Sequence, residues 1–324
     1  MANNENKEEK RIEKSAAQKI SKFGSFAAGG LAACIAVTFT NPIELVKIRM
    51  QLQGELSAMN QRIYKNLIQG ISVVFKNEGF KSLQKGLNAA YIYQIALNGS
   101  RLGFYEPIRT LTNKTFFPNE DPHQKQSVGV NVFSGATSGI IGAVIGSPLF
   151  LVKTRLQSYS DIVKIGEQTH YSGVWNGLKT IFQKEGVRGL YRGIDAAILR
   201  TGAGSSVQLP IYNTAKGFLV KNDIMVDGPA LHLTASTISG MGVAVVMNPW
   251  DVILTRIYNQ QGNLYKGPID CFIKTVKIEG VTALYKGFEA QVFRIAPHTI
   301  ICLTFMEQTM KFVYSVEKKI LGHD

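Results

Sequence analysis

The sequence predicts an all-α membrane protein of six spanning helices in three related repeats, each repeat holding a short amphipathic segment between its two spans. Two observations carry this. The first is repetition. One nine-residue pattern occurs three times, as Asn41–Arg49, Ser147–Arg155 and Asn248–Arg256, and its prolines (Pro42, Pro148, Pro249) lie 106 and 101 residues apart. A second marker, Glu-Gly-x6-Gly, keeps step with it at Glu78, Glu185 and Glu279, and Tyr64, Tyr171 and Tyr265 each stand fourteen residues before the Glu. Two patterns in one phase define an internal repeat. The second observation is hydropathy. Charged residues make up only 18% of the 324, below the usual quarter, and apolar and small residues are pooled in six stretches. None is a clean apolar run of the length a lone lipid-surrounded helix needs. Each carries glycines, hydroxyls or a charge, as expected where one face lines protein or water.

In chain order, residues 1–21 mix Glu5, Glu8 and Glu9 with Lys7, Lys10 and Arg11. They lack the apolar core of a signal peptide and are too acidic for a matrix presequence, so a disordered polar tail is expected. The repeats are expected at 22–115, 125–220 and 228–316. The odd spans run from about Lys22 to Gln51, Val128 to Gln157 and Leu231 to Tyr258. Small residues stand thirteen and nine places before each proline: Gly29 and Ala33, Gly135 and Gly139, Ser236 and Gly240. Such pairs let helix backbones approach closely in lipid. Each proline removes a backbone bond and kinks its helix, which would draw three helix ends toward a common axis. A polar loop and an amphipathic segment follow. In the first repeat, Asn66–Lys76 places Leu67, Ile68, Ile71, Val74 and Phe75 at near-helical spacing, too short to span and suited to the interface. The even spans run from about Gly86 to Arg109, Gly193 to Lys216 and Gly287 to Lys311. Polar loops around Pro118–Pro122 and Asn222–Pro229 join the repeats, and six spans put both termini on one side.

The net charge of +13 suits anionic lipid and an anionic substrate. With no basic helix or aromatic sheet motif, nucleic acid is not expected as a partner. Cys34, Cys271 and Cys302 have no paired spacing, hence neither a disulfide framework nor a metal site. No nucleophile–base pair or phosphate loop marks an enzyme, His232 and His323 complete no catalytic pattern, and no cofactor is expected. Arginine inside a span is costly and therefore a functional candidate. Arg101, Arg200 and Arg294 qualify, and the planar guanidinium matches a carboxylate or sulfate. His298, one turn after Arg294, either titrates during proton co-transport or packs as a helix histidine. Asp195 and Glu289 are explained by helix N-terminal stabilisation. Gln51 and Gln157 lie four residues past Lys47 and Lys153 on the same face, where they either brace an ion pair or stand as plain interfacial glutamines.

The tripled Pro-x-acid-x-x-base-x-base pattern resembles the signature of the mitochondrial carrier family over about residues 22–315. The stretches Ser100–Pro107, Gly146–Phe150 and Arg200–Ser206 are similar to its carriers of small dianions. The resemblance implies six helices around a central cavity, with the amphipathic helices on the matrix side, in the mitochondrial inner membrane with both termini cytosolic. It implies a monomeric carrier of small dianions (oxaloacetate, sulfate and related dicarboxylates), working by exchange or proton symport, with anionic lipid at the matrix side. A regulated proton leak of the uncoupling type, or another dicarboxylate or keto acid as cargo, is the alternative. It further implies that Glu44 pairs with Lys153 and Asp251 with Lys47 to close the matrix side. Phe150 and Leu254 replace the remaining acid and base together, which strands no charge. On the cytosolic side Glu106 would pair with Lys216 and Glu307 with Arg109, leaving Asn213 opposite Met310. The family's substrate contact points correspond to Tyr93, Arg200 and Arg294. Arg200-Thr201 fits the carboxylate carriers and not the nucleotide carriers. Arg101, eight residues past Tyr93, lies on nearly the same face about 12 Å along the helix, where it would catch the substrate on its way in or hold its second charge.

Overall fold

The computed structural model describes residues 22–56, 63–118, 127–165, 168–226, 228–260 and 262–321. The expected tail 1–21, Asn119–Pro122 of the first inter-repeat loop, Asp227 of the second and His323 lie outside the described residues. Among those described there are nine α-helices: α1 (Lys22–Leu52), α2 (Leu67–Glu78), α3 (Leu87–Phe116), α4 (Val128–Ser158), α5 (Val174–Leu190), α6 (Ile194–Lys221), α7 (Pro229–Asn259), α8 (Pro268–Glu279) and α9 (Phe288–Leu321). Six are long and three are short, in the order long–short–long three times.

The odd helices α1, α4 and α7 are long and apolar enough to cross a membrane. The even helices α3, α6 and α9 are of similar length, 30, 28 and 34 residues, but more polar, and they carry Arg101, Arg200 and Arg294. They extend past the expected ends at Arg109, Lys216 and Lys311, to Phe116, Lys221 and Leu321. The long helices form a closed ring in which α1 touches α3 and α9, α4 touches α3 and α6, and α7 touches α6 and α9. The three odd helices also touch one another. Pro42, Pro148 and Pro249 all fall inside continuous helices.

The short helices are built by local signals. Asn66 caps α2 by accepting the Gln69 N–H at 2.9 Å, and the Glu-Gly marker ends it. In repeats 1 and 3 the marker glycine is followed by a 3-10 turn, Phe80–Gln84 and Val281–Tyr285. In repeat 2 the helix resumes across non-helical Gly186. The last glycine of the marker starts each even helix with φ of 75°, 77° and 74° at Gly86, Gly193 and Gly287, a region L side chains avoid. Space forbids a side chain there too, since a Cβ on Gly193 would stand 2.8 Å from Ile257. The small residues behave unevenly. A Cβ on Gly240 would meet Ile295 at 2.9 Å, whereas Gly135 faces open space.

Candidate functional site

Where the odd helices converge, four charged side chains of the repeated pattern are buried and paired. Lys153 donates to Glu44 at 2.8 Å and Lys47 to Asp251 at 2.9 Å. Phe150 and Leu254 occupy the third place, pack within one apolar cluster and line one cavity. Tyr93 of α3 extends this layer, its ring 5.0 Å from Phe150 and 5.6 Å from the Lys153 ammonium.

A cavity of about 170 Å³ rests on this layer, bordered by Tyr93, Arg101, Phe150, Arg200, Thr201 and Leu254 among others. The two deep arginines lean on the acids beneath. Arg200 donates through Nε to Asp251, so this carboxylate serves Lys47 and Arg200 together. Arg294 Nη1 stands 4.0 Å from Glu44, and its Nε is buried without a hydrogen-bond partner. Thr201 spends its hydroxyl on the Ala197 carbonyl at 2.8 Å and presents its methyl to Gly139. Arg101 is exposed within the interior. Among the described residues the His298 ring makes one polar contact, with Thr40 at 3.5 Å.

Gln51 and Gln157 take neither expected place. Both are fully buried, and neither hydrogen bonds to the lysine one turn earlier. Gln157 Nε2 donates to Asn41 at 2.9 Å, and Gln51 Oε1 accepts from Thr255 at 2.8 Å. One turn past the lysine lies deeper in the helix junction, where the facing groups are polar side chains of another odd helix. Tyr258 is the third member of this set, nine residues past Pro249 as Gln51 and Gln157 are past Pro42 and Pro148. It shares a 3.0 Å hydroxyl contact with Ser147. Sequence reasoning missed it because the residue type differs; its position was the available signal.

The outer ring is not assembled. Glu106 pairs with Arg109 of its own helix at 2.9 Å and is 47% exposed. Neither Glu106–Lys216 nor Glu307–Arg109 occurs among the ion pairs of the described residues. Asn213 and Glu307 are exposed, and Met310 is half-buried. An i,i+3 pair forms within α3 without any approach of neighbouring helices.

The last base of each repeated pattern joins its in-phase Glu. Arg49 binds Glu78, Arg155 binds Glu185 at 3.2 Å and Arg256 binds Glu279 at 2.6 Å. A second cation supports each carboxylate: Lys85 at 3.0 Å, Arg192 at 2.8 Å and Lys286 at 2.6 Å. The arginines also clasp the next repeat in the ring. Arg49 donates to the Gln157 and Tyr159 carbonyls, Arg155 to those of Tyr258 and Gln260, and Arg256 to that of Gln51. Tyr64 and Tyr171 accept from Arg49 and Arg155, but Tyr265 turns to Glu55 and Thr275 takes its place at Arg256. Burial pushes the Glu78 and Glu279 carboxyls up, yet the hydrogen bonds from Arg49 and Arg256 outweigh it and hold both below the usual carboxylate range.

Three pseudo-equivalent helix pairs, charged rings at different depths and cationic side chains in a central cavity define a membrane carrier. The model of the mitochondrial carrier protein family matches three times, at residues 18–116, 124–223 and 226–317. The chain is 81% identical to the mitochondrial oxaloacetate transport protein of Saccharomyces cerevisiae over 324 residues, all of both chains. It is 53% identical over 301 residues to mitochondrial citrate transporter E of Aspergillus niger, covering 92% of this chain and 96% of that one. It is 52% identical over 304 residues to the mitochondrial oxaloacetate transport protein of Schizosaccharomyces pombe, covering 93% and 94%. The chain belongs to the mitochondrial carrier family, multi-pass transporters of the mitochondrial inner membrane.

Proposed function

We propose that this carrier moves small dianions, oxaloacetate and sulfate with related dicarboxylates, by alternating access as exchange or proton symport, with no chemical step. The observation that carries the reading is the sharing of the ring acids. Arg200 rests on Asp251 and Arg294 approaches Glu44, so a dianion that takes both arginines loosens both matrix-side ion pairs. Binding energy at the substrate then offsets the breaking of one gate, and the outer ring of Glu106, Arg109, Lys216 and Glu307 closes in its place. The inner pairs Lys47–Asp251 and Lys153–Glu44, with Glu106 turned to its own helix, support reading this as the matrix-closed arrangement. Tyr93 and Thr201 shape the bottom of the site, and Gln51 and Gln157 tie the odd helices beneath it. The functional unit is one chain, repeats 22–115, 125–220 and 228–316, with anionic lipid at its matrix ends. Two relatives named for oxaloacetate, at 81% and 52% identity, support the cargo.

The test uses purified protein in liposomes. Labelled sulfate uptake is followed against internal oxaloacetate, malonate, phosphate, ADP or buffer, with and without a pH gradient. Exchange with oxaloacetate and none with ADP is expected. Uptake only against ADP or phosphate overturns the dianion reading, and a proton leak without labelled exchange would favour the uncoupling type, for which a 31% identical relative is named.

A further inference from the structure

Beneath the ion pairs, each odd helix offers one more side chain to a neighbour. The residue nine past each proline is paired with the residue just before the proline of the preceding repeat in the ring. Gln157 Nε2 donates to Asn41 Oδ1 at 2.9 Å across the α1–α4 seam, and Tyr258 meets Ser147 at 3.0 Å across the α4–α7 seam. The pattern sets Gln51 against Asn248 at the α1–α7 seam, and there the bond is not made. Gln51 Nε2 and Asn248 Oδ1 are both buried without a hydrogen-bond partner among the described residues. Asn248 is held as its counterpart is: its Nδ2 donates to the Leu284 carbonyl at 2.8 Å, as Asn41 donates to that of Leu83 at 3.0 Å. Gln51 differs, because its Oε1 is taken by Thr255.

The arginine clasps rank the seams in the same way. Arg49 holds carbonyls of the next repeat at 3.1 and 3.0 Å and Arg155 at 2.9 and 3.3 Å, whereas Arg256 holds that of Gln51 at 3.4 Å. Repeat 1 is strapped to repeat 3 beyond the end of α1, where Lys286 donates to the Gln53 carbonyl and the Leu56 N–H to Glu279. A strap at the periphery lets two helices part while their ends stay tied.

Parting each seam has a different consequence. Across α1–α4 it breaks the Lys153–Glu44 pair and the Gln157–Asn41 bond, although Gln157 Oε1 is itself unpartnered. Across α4–α7 it wets Phe150, Leu254 and Tyr258, members of one apolar cluster. Across α1–α7 it breaks Lys47–Asp251 but brings water to two stranded amide atoms, and a buried polar atom is costly until it finds a partner. Asp251 is also the carboxylate that Arg200 holds, so cargo at Arg200 acts on this seam directly. We propose that the matrix side opens in order, the α1–α7 seam parting first, with Gln51 and Asn248 as positioning residues that keep it the least secured of the three. The inference rests on the alternating-access reading, to which it adds a sequence of steps.

The test compares Gln51→Met with Gln157→Met, by thermal unfolding in detergent and by sulfate–oxaloacetate exchange in liposomes. Gln51→Met removes a stranded donor, and the Thr255 hydroxyl then has the Asp251 carbonyl to fall back on, as Thr154 uses that of Phe150 at 2.8 Å. It is expected to hold or raise the unfolding temperature and to slow exchange. Gln157→Met breaks a made bond and is expected to unfold lower. A fall at Gln51 as large as that at Gln157, or exchange by Gln51→Met as fast as in the unaltered carrier, overturns the proposal. Order is read with single cysteines at Ile48, Thr154 and Thr255, all buried and six past the prolines, in a carrier with Cys34→Ala/Cys271→Ala/Cys302→Ala. During exchange, an impermeant methanethiosulfonate reagent on the matrix side is expected to label Thr255→Cys about tenfold faster than Ile48→Cys or Thr154→Cys, the scale of one unsatisfied buried polar group. Equal rates, or a faster reaction at either of the others, overturn it. Should Gln157→Met not fold, the labelling decides. Absence of sulfate–oxaloacetate exchange in the unaltered carrier removes the cargo reading, and the two unfolding temperatures still decide whether this seam is the weak one.

Discussion

Asp251 and Glu44 hold equivalent places in the inner ring, yet their loss is expected to differ. Asp251 is the counter-charge for two cations, Lys47 at 2.9 Å and Arg200. Asp251→Asn therefore leaves two cations, buried Lys47 and half-buried Arg200, facing a neutral amide. Glu44→Gln strands one, Lys153, since Arg294 stands off at 4.0 Å. Lys153 keeps partial compensation from the Tyr93 and Phe150 rings, 5.6 and 5.3 Å away, a cation–π contribution of about 0.5–2 kcal/mol. Breaking one buried pair costs about 3–5 kcal/mol, so Glu44→Gln belongs near the low end and Asp251→Asn at or above the high end. A gap of about 1.4 kcal/mol is a tenfold change in the ring-closed population. Both variants are to be compared by thermal unfolding in detergent and by sulfate–oxaloacetate exchange in liposomes. Asp251→Asn is expected to unfold several degrees lower and to exchange about tenfold more slowly than Glu44→Gln. If Glu44→Gln proves equally or more damaging, the reasoning that Asp251 serves two cations is wrong.

Arg200→Ala and Arg294→Ala should each abolish dianion uptake while the protein remains folded; normal uptake by either removes the site assignment. Exchanging charges as Glu44→Lys with Lys153→Glu should recover part of the activity lost in each single variant, and a double variant no better than the singles would break the pairing. Glu78 and Glu279 have carboxyls held below their ordinary value of 4.5. Their contribution is present above that value and is lost as pH falls through the folded-state value, so melting temperature should drop on acidification below about pH 4.5. Glu78→Gln/Glu279→Gln should flatten that slope, read by unfolding scans at several pH values. Gly193→Ala combines φ of 77° with a Cβ 2.8 Å from Ile257 and should lower stability by about 1–3 kcal/mol, seen in the same scans.

What the sequence makes legible is what repeats. Pro42, Pro148 and Pro249 locate three helices, the marker glycines locate the starts of three more, and complementary substitutions at Phe150 and Leu254 put two distant positions side by side. The partnership of Arg49 with Glu78 was present as phase alone, because two in-step motifs carry no statement of distance. Tyr258 escaped because a phenol stands where its equivalents are amides. The sharing of Asp251 between Lys47 and Arg200 depends on side-chain reach across three helices. The pairing of Glu106 with Arg109 of its own helix was not legible either, because complementary charges around a ring carry no statement of whether they meet.

The clasps made by Arg49, Arg155 and Arg256 run in one direction around the ring, and the third returns to the first repeat through the Gln51 carbonyl. Order along the chain is therefore not order in the assembly. During synthesis Arg155 and Arg192 wait for carbonyls of Tyr258, Gln260 and Gly262 that have not yet been made. Meanwhile the last turn of α1 waits for Arg256 and the turn after it for Lys286. A nascent chain of two repeats has two open ends, and only the third repeat removes both at once. The third repeat thus supplies the partners for both ends of the ring together.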